Sequence, residues 1–156
     1  MTRSLRLIWP VLLTLMVTAC LLAPVLPIPD PLKMNMGQRF APPSAAFLLG
    51  QDEMGRDVFS RLLFGVRISI FIALSTALLS AIVGTALGIF GGYMRGLSEI
   101  FTLRAMDIVL CFPPLLLAML AVTLYGPGPI TLIPVLSVVF VPGFTRVAYA
   151  SVLTVR

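Results

Sequence analysis

Residues 68 to 94 read ISIFIALSTALLSAIVGTALGIFGGYM, a stretch of 27 residues without a charged side chain. A helix needs roughly 20 apolar residues to cross about 30 Å of hydrocarbon. Two more charge-free stretches, residues 7 to 29 and 108 to 145, contain 23 and 38 residues. The longer one has room for two spans, because YGPGP at 125 to 129 interrupts it. The sequence therefore predicts an all-α, polytopic membrane helix bundle with about four transmembrane helices.

The composition supports a membrane protein and excludes several classes of function. Hydrophobic residues make up 59% of the chain and charged residues 11%, against about 25% charged residues in soluble proteins. There is no histidine, and the predicted spans hold no carboxylate that could activate a Ser, Thr or Cys nucleophile. The net charge of +5 comes from scattered arginines and one lysine rather than a basic stripe. We therefore expect no enzyme activity, no metal or cofactor site and no nucleic-acid partner.

Small residues recur four apart along the 68–94 stretch, at Thr76, Ser80, Gly84, Gly88 and Gly92. In lipid, small residues at this spacing let helix backbones approach closely. The alternative is that Gly and Ser are simply frequent in membrane helices. We predict a helix-packing face made by Ser80, Gly84, Gly88 and Gly92.

The N-terminal residues permit two interpretations. Arginines followed by an apolar stretch begin a signal peptide as well as a transmembrane helix, but 23 residues exceed the 7 to 15 of a signal core. The residues Val17-Thr18-Ala19-Cys20 have the pattern of a lipoprotein signal and are equally ordinary inside a helix. We predict a first transmembrane helix, and lipidation at Cys20 is the alternative.

A proline-rich loop and an amphipathic segment separate the first two stretches. Six prolines between residues 24 and 43 prevent a helix there. From Asp52 onward, apolar residues recur at helical spacing opposite Asp57 and Arg61. We predict one interfacial amphipathic helix with Asp52 as its N-cap. Asp52, Glu53 and Asp57 could hold a hard cation, but the neighbouring arginines favour a salt-bridge network.

Residues 95 to 107 carry four charges and are predicted to be a polar connection between spans. Arg104 and Asp107 lie three residues apart within it. This spacing fits an ion pair at a membrane boundary or a contact with a partner. An ion pair is the structural interpretation that we prefer.

The chain is expected to divide into three segments. Residues 1–29 form an N-terminal tip and the first span, residues 30–67 an outer loop with the interfacial helix, and residues 68–156 a core with three spans. Arg3 and Arg6 beside a long first span favour a cytoplasmic N-terminus. The total of Lys and Arg on the two sides, six inside against five outside, supports this orientation only narrowly.

Ten residues occur at a distinctive spacing: Gly50, Asp52, Gly55, Arg56, Asp57, Ser60, Arg61, Gly65, Arg67 and Ser69. They resemble the signature of the permeases of bacterial dipeptide, oligopeptide and nickel ABC transporters, which runs roughly G-T-D-x-x-G-R-D-x-x-S-R-x-x-x-G-x-R-x-S. Gln51 stands where this family usually has Thr. Farther along, Gly91-Gly92-Tyr93, Arg104, Asp107 and Phe112-Pro113 resemble a second family pattern, in which Leu103 replaces a usual Met.

The resemblance implies a permease subunit in the bacterial inner membrane that moves a solute, peptides above all, by alternating access. It implies as partners a second related permease subunit, two cytoplasmic ATP-binding subunits, a periplasmic solute-binding protein and membrane lipid. ATP would be used by those partner subunits, so no cofactor is expected here. Arg104, Asp107, Phe112 and Pro113 would form a cytoplasmic-side motif. The transported solute, peptide or nickel, stays open.

In this family the fourth span is followed by an ATPase-coupling loop and two further spans. Residues 146 to 156 resemble the beginning of that loop. We therefore expect a permease truncated at its C-terminus, and no intact transport by this chain alone. The alternative function is a small membrane scaffold or assembly protein without transport activity, which packs with its partners through Gly84, Gly88 and Gly92.

Overall fold

A computed structural model describes residues 3–155, with side chains from residue 8 onward. The elements are α1 (Arg3–Leu22), a short 3-10 helix (Met36–Gln38), α2 (Val58–Met94), α3 (Leu97–Leu110), α4 (Pro114–Tyr125) and α5 (Pro129–Val155). Within 3–155 there is no β-strand, only an isolated antiparallel bridge between Gln51 and Asp57. The predicted all-α class of a membrane helix bundle is confirmed.

Two helices, α2 and α5, are long and apolar enough to cross a membrane. Helices α3 and α4 would together form a third span, but the pair is bent by 77° at the break between them. The described apolar part of α1, Ile8–Leu22, is shorter. The number of four spans stays a prediction.

Helix α2 joins two segments that the sequence analysis treated as separate. It runs for 37 residues from Val58 to Met94. The interfacial amphipathic helix is therefore not an element of its own but the first three turns of the helix that carries the small residues. Residues 58 to 67 are helical as predicted, but the helix continues without a break from Arg67 to Ile68.

The prediction that Asp52 caps this helix is wrong. Asp57 precedes the first helical residue, and its Oδ2 accepts hydrogen bonds from the Ser60 backbone N–H at 3.0 Å and the Ser60 hydroxyl at 2.5 Å. Helix α2 cannot extend back through Gly55 or Gly50, because their φ angles of +70° and +74° are left-handed.

Residues 95 to 107 are mostly helical, so the predicted polar connection is also wrong. Helix α3 begins at Leu97, directly after Gly96 with φ +63°. Glu99 lies in its first turn, where a carboxylate is favourable to the helix dipole. The connection between α2 and α3 is therefore only the two residues 95 and 96.

Helix α5 continues to Val155, ten residues beyond the end predicted at Thr145. Pro134 and Pro142 lie inside it, as membrane helices tolerate where neighbours satisfy the freed backbone groups. The residues interpreted as the beginning of a coupling loop are thus helical in the structure.

Contacts divide the chain into two compact units, Met1–Ile70 and Phe71–Arg156. The first has a small apolar core of Cys20, Ala23 and Leu63. Cys20 is fully buried in it, which argues against a lipid on its sulfur. The division into three segments predicted from the sequence stays a prediction.

In the second unit the buried residues are mainly small or hydroxylated, and large apolar side chains face outward. The fully or nearly buried residues include Thr76, Ser80, Thr102, Ser137 and Thr145. This is the reverse of a water-soluble core and is the pattern expected when helices associate in lipid through close backbone packing.

Candidate functional site

The first half of the signature forms a tight loop around Asp52. The Asp52 Oδ1 accepts hydrogen bonds from the backbone N–H groups of Met54 at 2.8 Å and Arg56 at 2.9 Å. Its Oδ2 lies 2.8 Å from Arg56 Nε and also contacts Arg61 Nη1. One carboxylate therefore closes a turn and pairs with two guanidinium groups, as the salt-bridge interpretation of this cluster predicts.

The pKa of the Asp52 carboxyl lies well below its usual range. Desolvation raises this pKa, but hydrogen bonds from the Arg56 and Met54 N–H groups and the charge of the Arg56 guanidinium outweigh that effect. The group is therefore ionised wherever the protein is folded under ordinary conditions, and it stabilises the loop as a carboxylate.

This pKa shift predicts an acid-sensitive loop. A carboxyl with a depressed folded-state pKa stabilises the fold fully above its unfolded-state pKa of about 3.9. That contribution is lost as the pH falls through the lower folded-state pKa. We expect Asp52→Asn to destabilise the protein by a constant amount above about pH 5, and by progressively less below about pH 4.

Denaturant unfolding of both proteins between pH 7 and pH 2.5 measures this difference. Asp30→Asn is the control, because Asp30 accepts only one backbone hydrogen bond, from Leu32 N–H, and forms no salt bridge among residues 3–155. A difference for Asp52→Asn that did not change with pH would contradict the assignment.

Gly50 and Gly55 connect the signature loop to the chain before it. A Cβ at Gly55 would lie 1.9 Å from the carbonyl oxygen of Asn35, and one at Gly50 would lie 2.6 Å from that of Ala41. Backbone hydrogen bonds hold the same segments together. The Asn35 N–H donates to Met54 O at 3.2 Å, and the Gln51 N–H donates to Ala41 O at 3.0 Å. The signature thus holds residues 35–41 in place.

The second half of the signature lies elsewhere. Gly65, Arg67 and Ser69 are exposed on α2, and a Cβ at Gly65 would meet nothing within 4 Å. Ser60 is fully buried below the Asp57 cap. The structure therefore brings together Gly50 to Arg61 and leaves the last three signature positions exposed on α2.

The small residues of α2 lie against α5. A Cβ at Gly84 would fall 2.6 Å from Phe144 Cβ, and one at Gly88 would fall 2.4 Å from the Thr145 carbonyl oxygen. The approach is wider at Gly92, where the nearest atom is Val152 Cβ at 3.0 Å. We call this contact the α2–α5 seam.

Hydroxyl groups cross the seam at Ser80. Its Oγ donates to the backbone carbonyl of Thr76 at 2.7 Å within α2 or to that of Ser137 at 3.0 Å on α5. In return, Ser137 Oγ lies 2.6 Å from Ile133 O and 3.4 Å from Thr76 O. Sequence analysis missed Ser137 and Thr145. Their spacing of eight residues on one helix face was the available signal.

Two polar links join α3 to α5. Arg146 Nη2 lies 2.9 Å from Asp107 Oδ1, and the Tyr149 hydroxyl donates to Glu99 Oε1. Arg104 is a more distant partner of Asp107, at 3.8 Å. Arg146 and Tyr149 are 39 and 50 residues from their partners, so no local spacing in the sequence could show them.

We expect Asp107 to couple to Arg146 but not measurably to Arg104. The Arg146–Asp107 pair is short but half-exposed, which gives about 0.2 to 1 kcal/mol in comparable pairs. Double-mutant cycles with alanine at positions 104, 107 and 146 measure both coupling energies by unfolding. A larger coupling for Arg104 than for Arg146 would contradict the geometry.

Phe112 and Pro113 lie at the bend between α3 and α4. Pro113 precedes the first residue of α4, and Phe112 is 53% exposed. Cys111 N–H closes the end of α3 on the carbonyls of Asp107 and Ile108, at 3.2 and 3.1 Å. The residues of the predicted cytoplasmic-side motif therefore lie in the last two turns of α3 and at the bend that follows it.

No group of three His, Cys, Asp or Glu residues that could hold a metal ion occurs in the part of the chain that the structure describes. Asp52 is engaged by arginines and Asp57 by Ser60. The cluster therefore serves to fix the loop.

No protein-family model matches the chain, but individual proteins do. It is 38% identical over 146 residues to the di/tripeptide transport system permease protein DppC of Pseudomonas aeruginosa, covering 90% of this chain and 48% of that protein. The chain is 34% identical over 146 residues to the probable D,D-dipeptide transport system permease protein DdpC of Escherichia coli, and this match covers 94% of the chain and 49% of that protein. The chain is 30% identical over 153 residues to the dipeptide transport system permease protein DppC of Alkalihalophilus pseudofirmus, and this match covers 98% of the chain and 50% of that protein.

The chain thus spans about half the length of the curated relatives it matches. Their names are those of transport-system permeases, and the apolar helices α2 and α5 indicate a multi-pass membrane protein. The family predicted from the signature is confirmed. Over most of its length, the chain is homologous to the permease proteins of bacterial peptide-type ABC transporters.

Proposed function

We propose that the chain is a permease component of an ABC importer for peptides in the bacterial inner membrane, with its N-terminus in the cytoplasm. The observation that carries this proposal is the identity of 30 to 38% to peptide-transport permeases over 90% or more of the chain. The component performs no chemistry itself. It forms part of a pathway that opens alternately to the two sides of the membrane.

The helix contacts support a division into a rigid and a bending part. The α2–α5 seam joins backbones at Gly84 and Gly88 and is fastened by Ser80 and Ser137. Such a contact favours movement of α2 and α5 as one body. The bend at residues 111–113 is a break in the hydrogen-bond ladder, where α4 can change its angle to α3.

The proposed partners follow from this role. A second, related permease subunit would complete the pathway, and two cytoplasmic ATP-binding subunits would bias its two states. A periplasmic solute-binding protein would deliver the peptide, and membrane lipid would cover the outward-facing apolar side chains.

Affinity purification from membranes of the native host tests this proposal. The tagged chain is expected to retain an ATP-binding subunit and a second permease, and deletion of its gene is expected to reduce uptake of a radiolabelled dipeptide. Gly143→Ala is the control for tagging and expression, because a Cβ there would meet nothing within 4 Å. The scaffold alternative is favoured if the chain reaches the membrane but retains no ATP-binding subunit, and if deletion of its gene leaves dipeptide uptake unchanged.

A further inference from the structure

A cavity of about 270 Å³ lies beside the signature loop, within residues 29–57. The residues that line it carry two carboxylates, two amides, one ammonium group and two apolar rings. They are Asp30, Asp57, Asn35, Gln51, Lys33, Pro29 and Phe47. The structural role of the signature accounts for Asp57 as a helix cap but not for the cavity.

Two side chains of the cavity wall have an oxygen without a hydrogen-bond partner. Gln51 and Asp57 are only 7% and 4% exposed, and Gln51 Oε1 and Asp57 Oδ1 are buried and unpaired in the described structure. The Gln51 amide is oriented by its Nε2, which donates to the Gly55 carbonyl at 3.0 Å. The second oxygen of Asp57 is occupied by Ser60.

The backbone holds these two side chains next to each other. Gln51 and Asp57 are paired in an antiparallel bridge, and side chains directly opposite in such a pair lie on the same face, with Cβ atoms about 5 Å apart. Nearly all buried polar atoms in proteins have partners. Two neighbouring unpaired acceptors on one cavity therefore point to a donor that the chain itself does not supply.

The charge and size of the cavity select the kind of donor. Asp30 and Asp57 against Lys33 give the wall a net charge of −1 at neutral pH, which fits a single positive charge. Ca²⁺ carries two positive charges and would leave the wall with a net charge of +1, whereas a single positive charge neutralises it. An ammonium group carries several N–H donors, and the rings of Pro29 and Phe47 can contact the carbon atoms attached to it. The only lysine, Lys33, is exposed and forms no salt bridge within residues 3–155.

We propose that this cavity binds a primary ammonium group, with Asp57 and Gln51 as its acceptors. A free alkylamine and the amino terminus of a peptide both present this group. The inference goes beyond the proposed transport, because it concerns binding to the loop and requires no partner subunit. Gln51 stands where the signature usually has Thr, so one of the two acceptors is not a signature residue.

Saturation-transfer NMR on the purified full chain in detergent tests the proposal, with ethylammonium as the probe and choline chloride as the salt. We expect a signal that falls at least fivefold in Asp57→Asn and in Gln51→Thr. Asparagine caps helices as well as aspartate does, so Asp57→Asn should keep the fold. Glu53→Gln is the matched control, since Glu53 is exposed and does not line the cavity. Circular dichroism verifies the fold of each variant.

Several outcomes would overturn the proposal. One is the absence of a signal with the folded wild type, and another is a signal in Asp57→Asn and Gln51→Thr equal to that of the wild type. The proposal also fails if tetramethylammonium, which has no N–H donor, gives the same signal as ethylammonium. Displacement of ethylammonium by sodium would overturn it as well. Competition then separates the two sources of the group. Displacement by L-alanyl-L-alanine but not by its N-acetyl form supports a peptide amino terminus as the ligand, and displacement by neither supports a small amine.

Discussion

Alanine at position 55 is expected to lower the free energy of unfolding by about 2 to 5 kcal/mol. Gly55 has φ +70°, and this left-handed conformation costs other residues about 1 to 2 kcal/mol. The new Cβ would also lie 1.9 Å from the Asn35 carbonyl oxygen and 2.6 Å from the Asn35 carbonyl carbon, and overpacking of this kind costs about 1 to 3 kcal/mol. Asn35 cannot simply move aside, because its N–H is bonded to Met54 O.

Gly96→Ala separates the two causes. Gly96 has φ +63°, but a Cβ there would meet nothing within 4 Å. This variant should therefore show only the conformational cost of about 1 to 2 kcal/mol. Denaturant unfolding in detergent micelles, followed by circular dichroism, measures both variants. If Gly55→Ala lost no more stability than Gly96→Ala, the backbone at Gly55 would not be in close contact with the Asn35 carbonyl group.

The helical class was predictable from the sequence because it depends on long apolar stretches, which are local. Helix boundaries were less so. Charged residues mark the ends of the predicted spans, so the sequence predicts a connection where α3 lies and an end of the last span at Thr145. A helix continues through charges when its polar groups find partners, as Glu99 does with Tyr149 and Asp107 does with Arg146.

The signature shows the same distinction between local and distant contacts. Its spacing identified the family, but not which aspartate caps α2. That choice depends on the positive φ angles of Gly50 and Gly55 and on backbone contacts with residues 35–41. The neighbouring unpaired oxygens of Gln51 and Asp57 likewise depend on an isolated backbone bridge within one loop, which residue types alone do not reveal.

Leucine at position 88 is expected to open the α2–α5 seam, with a loss of about 3 kcal/mol, the upper end of the range for overpacking. A Cβ at Gly88 alone would lie 2.4 Å from Thr145 O, 2.7 Å from Ala148 Cβ and 2.9 Å from Tyr149 N. Two of these three atoms belong to the α5 backbone, so no change of rotamer can make room. The helices must separate, which also stretches the hydrogen bond from Ser80 to Ser137 O.

Gly143→Leu is the matched control, because it makes the same change on α5 at a position where a Cβ meets nothing within 4 Å. Leucine is a better helix former than glycine by up to about 1 kcal/mol, so this variant should be as stable as the wild type or slightly more stable. Reversible unfolding in mixed micelles measures both. Equal stability of the two leucine variants would mean that α2 and α5 do not touch at Gly88. A selective loss in Gly88→Leu would confirm that the backbones of α2 and α5 are in close contact at Gly88.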